Sequence, residues 1–365
     1  MMIKDNLRNI ARYLLPHGYM LSRNRNHFLR DYDRWKTAGG HITFDSTCRF
    51  DSFVSIDGFG SSGSSAVMDL LREYDCCTVW ATKPSFTDSK EEIHGMGEMD
   101  LMRNIGGLLY LDKMLDDDAV VNIYWADAAI KAFIGLVYYS DLYRCYTELR
   151  PLFFHFFEEI VSQRLLSDET IHSPFINPYT AVTDVFYLKR MSKTEYHKLC
   201  RNFLYTLFNH LFPDVKGGCL VLDHIFDDCG IDTQRFQPFL PGVKRIKVRR
   251  DIRGVYVDAV RYNYRWLAHD TISDFILWER NMYSGHKDEN DNYLTVRFEQ
   301  LVTDYDREVS QIENFLGIDK EHHIKRQQLF NPEISRHNIR VWEHNDKYSK
   351  DCQLIKQLAP DLCYM

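Results

Sequence analysis

Phe53-Val54-Ser55-Ile56-Asp57-Gly58-Phe59-Gly60-Ser61-Ser62-Gly63-Ser64-Ser65-Ala66-Val67-Met68-Asp69-Leu70-Leu71-Arg72-Glu73-Tyr74 decides how this chain folds. Phe53–Ile56 reads as a short strand, Gly58–Ser65 as a glycine- and serine-rich turn, and Ala66–Tyr74 as an amphipathic helix. Strand, glycine loop and helix start in that order build an anion cradle. Consecutive backbone N–H groups converge on one spot, and the helix N-terminus adds its partial positive charge. The segment therefore predicts a nucleotide site, with Gly60, Ser61, Ser62, Gly63, Ser64 and Ser65 as the phosphate-holding residues.

Gly58, Gly63 and the hydroxyl of Ser65 reproduce the outer spacing of a Walker A loop, but Ser64 stands where that motif places lysine. Without that lysine a kinase or GTPase loses the point charge on its transferred phosphate. The loop suits a nucleotide gripped at its 5′ end and argues against ordinary ATP hydrolysis.

Further short runs, at Thr78–Ala81, Cys219–Leu222, Lys244–Val248 and Tyr293–Phe298, alternate with helical patterns. This predicts an α/β fold: a parallel sheet with a P-loop-type cradle, helices on both faces and a helical insert. Ligands of such sheets gather at the carboxyl ends of the strands, where the glycine loop, Lys83, Asp223-His224 and Arg249-Arg250 all fall. Between Met99 and Phe212 helical periodicity takes over, with a capping box at Ser192-Lys193-Thr194-Glu195. We read residues 1–365 as one domain carrying a helical insert at 99–212 that covers the acceptor side. Its aromatic residues, such as Phe153-Phe154-His155-Phe156-Phe157, read first as core.

At 365 residues and 45% hydrophobic content the chain can bury a large core. Its net charge of −7 argues against a general nucleic-acid binder. Positive charge is instead concentrated in Lys244–Arg250, five cations in seven residues, with Arg253 close behind. Nine cysteines without a CxxC pair fit a reducing, cytoplasmic compartment. Met1–Pro16 is amphipathic and basic but lacks a signal-peptide core, and Ala128–Tyr139 is too short to span a membrane. No metal site is expected, since His322-His323 is adjacent rather than helically spaced and no Cys/His set has zinc spacing.

Three segments in order resemble the PAPS-dependent sulfotransferases, which move a sulfonate from 3′-phosphoadenosine-5′-phosphosulfate to an acceptor. Gly58–Ser65 is similar to the loop that binds the donor's 5′ phosphosulfate. Ile246–Tyr256 resembles the strand-to-helix segment that binds its 3′-phosphate. Leu294–Val302, followed by Ile312–Ile318, resembles the closing strand-and-helix signature, and Ser335–Trp342 looks more loosely like the segment that closes over the donor. The resemblance implies PAPS as donor substrate, no metal, and Arg249, Arg250, Arg253 and Arg336 as further donor-binding residues. It implies a hydroxyl-bearing acceptor; we expect a glycan first and, from the aromatic insert alone, a sterol or other lipophilic alcohol second.

A donor with a 5′ mixed anhydride and a separate 3′-phosphate needs two anion holes a nucleoside apart, and guanidinium groups suit the second. The sequence departs from the family at two telling positions. Ser61 replaces the cation that steadies the leaving group, a duty that passes to Lys83 or Arg249. Asp258 replaces the serine beside the 3′-phosphate, and must turn away or pair with an arginine such as Arg261. His224 beside Asp223 is the expected general base, with His94 and Glu98 in reserve. A kinase-like P-loop enzyme and a non-catalytic nucleotide-binding protein are the competing readings.

Overall fold

The computed structural model describes residues 17–58, 60–80, 108, 112, 130, 131, 133, 134, 137, 143, 146–165, 185–225, 236–264, 267–284, 291–344 and 346–364. Along the chain run helix α1 (His17–Thr37), strand β1 (Ser52–Asp57), helix α2 (Ser64–Leu71) and strand β2 (Cys77–Val79). Then come α3 (Arg150–Ile160), β3 (Val161–Leu165), β4 (Val185–Leu188), α4 (Lys193–Leu211) and β5 (Cys219–Asp223). The remainder holds β6 (Lys244–Arg249), α5 (Ile252–Tyr262), α6 (Ile272–Ser284), β7 (Tyr293–Arg297), α7 (Phe298–Thr303), α8 (Tyr305–Leu316) and α9 (Asp346–Leu358).

Two compact units partition the chain. One comprises Met1–Arg49, Ser85–Asp88 and Met99–Asp214, the other Phe50–Pro84, Ser89–Glu98 and Val215–Met365. The helical unit thus takes in the chain before Phe50 as well as the 99–212 segment. In it, rings from α1, α3 and α4 interlock. Phe28 meets Phe154 edge-on at 5.3 Å, and Phe156 lies 5.0 Å from Phe203. Helix α4 starts at the expected capping box: Glu195 N–H donates to Ser192 Oγ (3.2 Å) and Ser192 N–H to Glu195 Oε2 (2.8 Å). The helical reading of 99–212 missed an antiparallel pair, β3 with β4. Each strand is five residues or fewer, too short for a period-2 pattern to stand out.

The second unit is built on a parallel five-stranded sheet in the order β2-β5-β1-β6-β7. The α/β architecture is as expected. Strand alternation divides the residues between the sheet's two faces. Val54, Ile56, Val221, Ile246, Val248 and Val296 pack with α2, α7 and α8 in one apolar core. The opposite register carries Ser55, Asp57, Arg245 and Lys247, all fully buried. Arg245 Nε donates to Asp57 Oδ2 at 2.6 Å, and Ser55 Oγ to Asp57 Oδ1 at 2.7 Å. Much of the basic cluster read from the sequence is therefore interior: Arg245 pairs with Asp57, and Lys244 Nζ donates to the Phe315 carbonyl. Glu279 of α6 is fully buried with neither carboxylate oxygen hydrogen-bonded. Burial pushes its carboxyl up to about 8, against the opposing pull of Lys247.

Register places the chemistry. Ile56 pairs with Asp223, Asp57 with Lys247, and Arg249 with Arg297. The glycine loop, His224, Arg250 and Phe298 consequently leave the sheet from one edge, the carboxyl ends of β1, β5, β6 and β7.

Candidate functional site

The loop after β1 keeps its shape through two glycines and one left-handed serine. A Cβ on Gly58 would sit 2.0 Å from Ser62 Oγ and 3.2 Å from the Val248 carbonyl oxygen. Gly63 has φ +90°, and a Cβ there would lie 2.5 Å from the Phe298 ring. Ser61 also has positive φ, at 60°. Left-handed residues in a tight turn curl successive N–H groups to one side of the chain. Helix α2 begins directly after Gly63, with no side chain capping its N-terminus. Ala66 N–H bonds the Gly63 carbonyl (3.0 Å), which leaves the Ser64 and Ser65 N–H groups for a ligand. Ser62 Oγ is buried with no hydrogen-bond partner. A desolvated, unpartnered hydroxyl costs about 1–3 kcal/mol, and this one lies beneath the loop against Gly58. Loop and helix together fit a phosphate or sulfate group.

His224 is built into this loop. It has φ +48° and is 9% exposed. Its Nδ1 lies 2.8 Å from Asp223 Oδ1, while Gly58 N–H donates to Nε2 at 3.0 Å and the Gly58 carbonyl also meets Nε2. Both ring nitrogens face protein atoms. Asp223 orients the imidazole, and the imidazole fixes the first glycine of the loop.

Arg250, one residue beyond β6, joins the loop from the other side. Its Nη1 donates to the Ser61 carbonyl (2.9 Å) and to Asp258 Oδ2 (2.7 Å), and its Nη2 to the Asn338 carbonyl (2.8 Å). The guanidinium lies 5.5 Å from the Phe298 ring centre, the same ring that closes on Gly63. The two expected anion-holding elements thus adjoin at one rim. Of the two alternatives read from the sequence, Asp258 takes the second and pairs with an arginine, which is Arg250 rather than Arg261.

Arg253 has a different task. Its Nε and Nη2 fork onto Asp251 at 2.9 and 2.6 Å, its Nη2 also reaches the Tyr364 carbonyl, and its guanidinium stacks 4.2 Å over Trp342. Asp251 caps α5 by accepting from Arg253 N–H, and its own N–H donates to Glu299 Oε1 at 2.8 Å. Arg253 therefore fixes the start of α5 and the chain end. Burial raises the Glu299 carboxyl.

A cleft of about 560 Å³ opens at this rim. Its lining includes Ser61, Gly63 and Ser65 from the loop, Asp69 from α2, and Arg250, Asp258 and Arg261 around α5. The late segment contributes Ser335 and Asn338 to the lining. Arg336 is not among the lining residues and pairs instead with Glu333 on the surface (2.9 Å). Arg249 is half-buried at the end of β6. Lys83, His94 and Glu98 lie outside the described residues.

Several residues that shape the site carry no sequence signal of their own. Asp57 anchors the base of the loop, Phe298 links Gly63 to Arg250, and Asn338 acts through its backbone. Glu73, fully buried, accepts the N–H groups of Gln327 (3.0 Å), Leu329 (2.8 Å) and Phe330 (2.9 Å) and meets His323 Nε2 at 2.7 Å. It thereby sets the 327–330 wall of the cleft. At the opposite, amino end of β2, Asp75, Cys76 and His322 bring one potential metal-ligand atom each within 4.8 Å of one another. No described helix is long and apolar enough to cross a membrane.

No known protein-family profile matches the chain, and no curated protein does. Among solved structures the chain is similar to the sulfotransferase STF9 from Mycobacterium avium, at 11% identity over 87% of this chain and 74% of that one, with a TM-score of 0.34. A likeness that remote carries no argument for function, which rests on the geometry above.

Proposed function

We propose that this protein is a sulfotransferase that takes a sulfonyl group from an adenosine phosphosulfate, the donor class that includes PAPS, and passes it to an acceptor hydroxyl. One observation carries the reading: an uncapped helix N-terminus ends the glycine loop at the strand ends, where Ser61, Gly63 and Ser65 line the cleft. The acceptor oxygen forms its bond to sulfur as the sulfur–oxygen bond to the donor phosphate breaks. The electron pair stays on that phosphate, and the acceptor's proton passes to a base. Such a transfer asks for in-line placement and neutralisation of charge on the spreading sulfonyl oxygens. The amides of residues 61–65 supply that neutralisation, and His224 with Asp223 keeps the loop in place for it.

A carbohydrate hydroxyl is the acceptor class we propose. The rings at Phe153, Phe154 and Phe156, which a lipophilic alcohol would need around it, pack against other aromatic rings in a closed core. The test is radiolabelled sulfonyl transfer from a mixture of adenosine phosphosulfates to oligosaccharide and sterol panels, beside ATP with magnesium as a phosphoryl donor. Labelled oligosaccharide is the expected product. Phosphoryl transfer from ATP would replace this reading with the kinase-like one, and nucleotide binding without transfer to any acceptor would leave a binding protein.

A further inference from the structure

The Arg250 corner differs chemically from a phosphate site. Two of the guanidinium's donors hold backbone carbonyls, Ser61 and Asn338, and Nη1 also holds the Asp258 carboxylate at 2.7 Å. Arg250 is 7% exposed, and the Asp258 side chain only 18%. The pair is partly desolvated, so its mutual attraction is strong and a second anion finds no net positive charge to meet. In the wider cleft Asp69 is likewise held by a guanidinium, that of Arg72 (3.0 Å), while Arg261, three residues beyond Asp258, lies against the Tyr262 ring. Two other arginines expected to add positive charge act elsewhere, Arg253 on Asp251 and Arg336 on Glu333.

A 3′-phosphate brought to this corner would lie against the Asp258 carboxylate, which already neutralises Arg250. A hydroxyl fits instead, because a carboxylate accepts a hydrogen bond from a sugar hydroxyl, as acidic residues do on the ribose of dinucleotides. We infer that Asp258 is the specificity-determining residue of the nucleotide cleft, selecting a nucleoside 5′-phosphate or 5′-phosphosulfate whose ribose keeps its 3′-hydroxyl and rejecting the 3′-phosphorylated form. Within the donor class proposed above, on which this inference rests, the donor is then adenosine 5′-phosphosulfate. Asp258 is the internal anion that satisfies Arg250, so that Arg250 can brace the loop through the Ser61 carbonyl.

The experiment is titration calorimetry of the full-length protein with AMP and with adenosine 3′,5′-bisphosphate, two probes that differ in the 3′-phosphate alone. Wild type is expected to bind AMP at least 10-fold more tightly. Asp258→Ser, which removes the carboxylate and leaves a phosphate-compatible hydroxyl, is expected to reverse the preference by a similar factor. Asp258→Asn keeps the side-chain volume and should abolish the discrimination even if the serine variant folds poorly, with melting temperatures recorded for both. Tighter binding of the bisphosphate by wild type would overturn the inference while keeping the nucleotide reading, as would an unchanged ratio in both variants. Failure of wild type to bind either probe would overturn the nucleotide reading itself.

Discussion

The glycine loop and the Arg250 corner adjoin at the same sheet edge, yet one is prepared for a ligand's charge and the other is already neutralised. At the loop, α2 has no side-chain cap. At Arg250, Asp258 and two carbonyls take up the guanidinium. Proximity of a cation to a phosphate loop is therefore a poor guide to what binds there; what counts is whether its hydrogen-bond capacity and charge are already satisfied.

The largest expected effect lies in the interior, at a third ionisable group that no hydrogen-bond partner satisfies. Glu279, pushed up to about 8 by burial, keeps its proton in the folded state at pH values where an unfolded glutamate, with its ordinary value of 4.5, has lost it. The resulting stabilisation is complete below about 4.5, declines as pH rises towards about 8, and is gone above it. Glu279→Gln removes this titration. Denaturant unfolding should therefore show the variant gaining on wild type between pH 5 and pH 9 by on the order of 3–5 kcal/mol. A constant difference across that range would show that Glu279 does not titrate as its burial demands.

Gly63→Val strikes the loop alone. Its positive φ and the Phe298 ring leave no room for a branched side chain, so AMP affinity should fall at least about 100-fold, or roughly 2.7 kcal/mol. Retention of wild-type affinity would move the ligand away from the α2 N-terminus. Arg250→Ala strikes the other corner, leaving Asp258 without its partner and freeing the loop at the Ser61 carbonyl. A stability loss of about 1–3 kcal/mol is expected. The double variant Arg250→Ala/Asp258→Ala should recover at least half of that loss in thermal unfolding. If it recovers none, the loop contact matters more than the charge pair. Arg336→Ala should be the mildest: its exposed bond to Glu333 predicts less than a twofold change in AMP affinity. A 10-fold loss would return Arg336 to the nucleotide site.

The strands were legible because short β-branched runs stand out between helical stretches, and observed bounds fall within a residue or two of those expected from sequence. The glycine loop was legible because its conformation is local: Gly58 and Gly63 are demanded by backbone and ring atoms that no Cβ can approach. The cations were misjudged by the same local reading. In Lys-Arg-Ile-Lys-Val-Arg-Arg, alternation turns Arg245 and Lys247 into the buried face of the sheet, where Arg245 meets an aspartate 188 residues earlier. The pairing of β3 with β4 and the approach of His322 to Asp75 and Cys76 also join segments that no spacing rule relates.

By itself, the sequence determined the parallel α/β plan, the phosphate-shaped turn and the capping of α4, because each follows from the conformational preferences of adjacent residues. Only the tertiary structure decided what each charged side chain is for. It gave Arg253 to the end of α5, His224 to Gly58, Glu73 to the wall of the cleft, and Arg250 to Asp258. The physical reason is that a charge acts on whatever lies within a few ångströms of it, and the packing of distant segments chooses those neighbours.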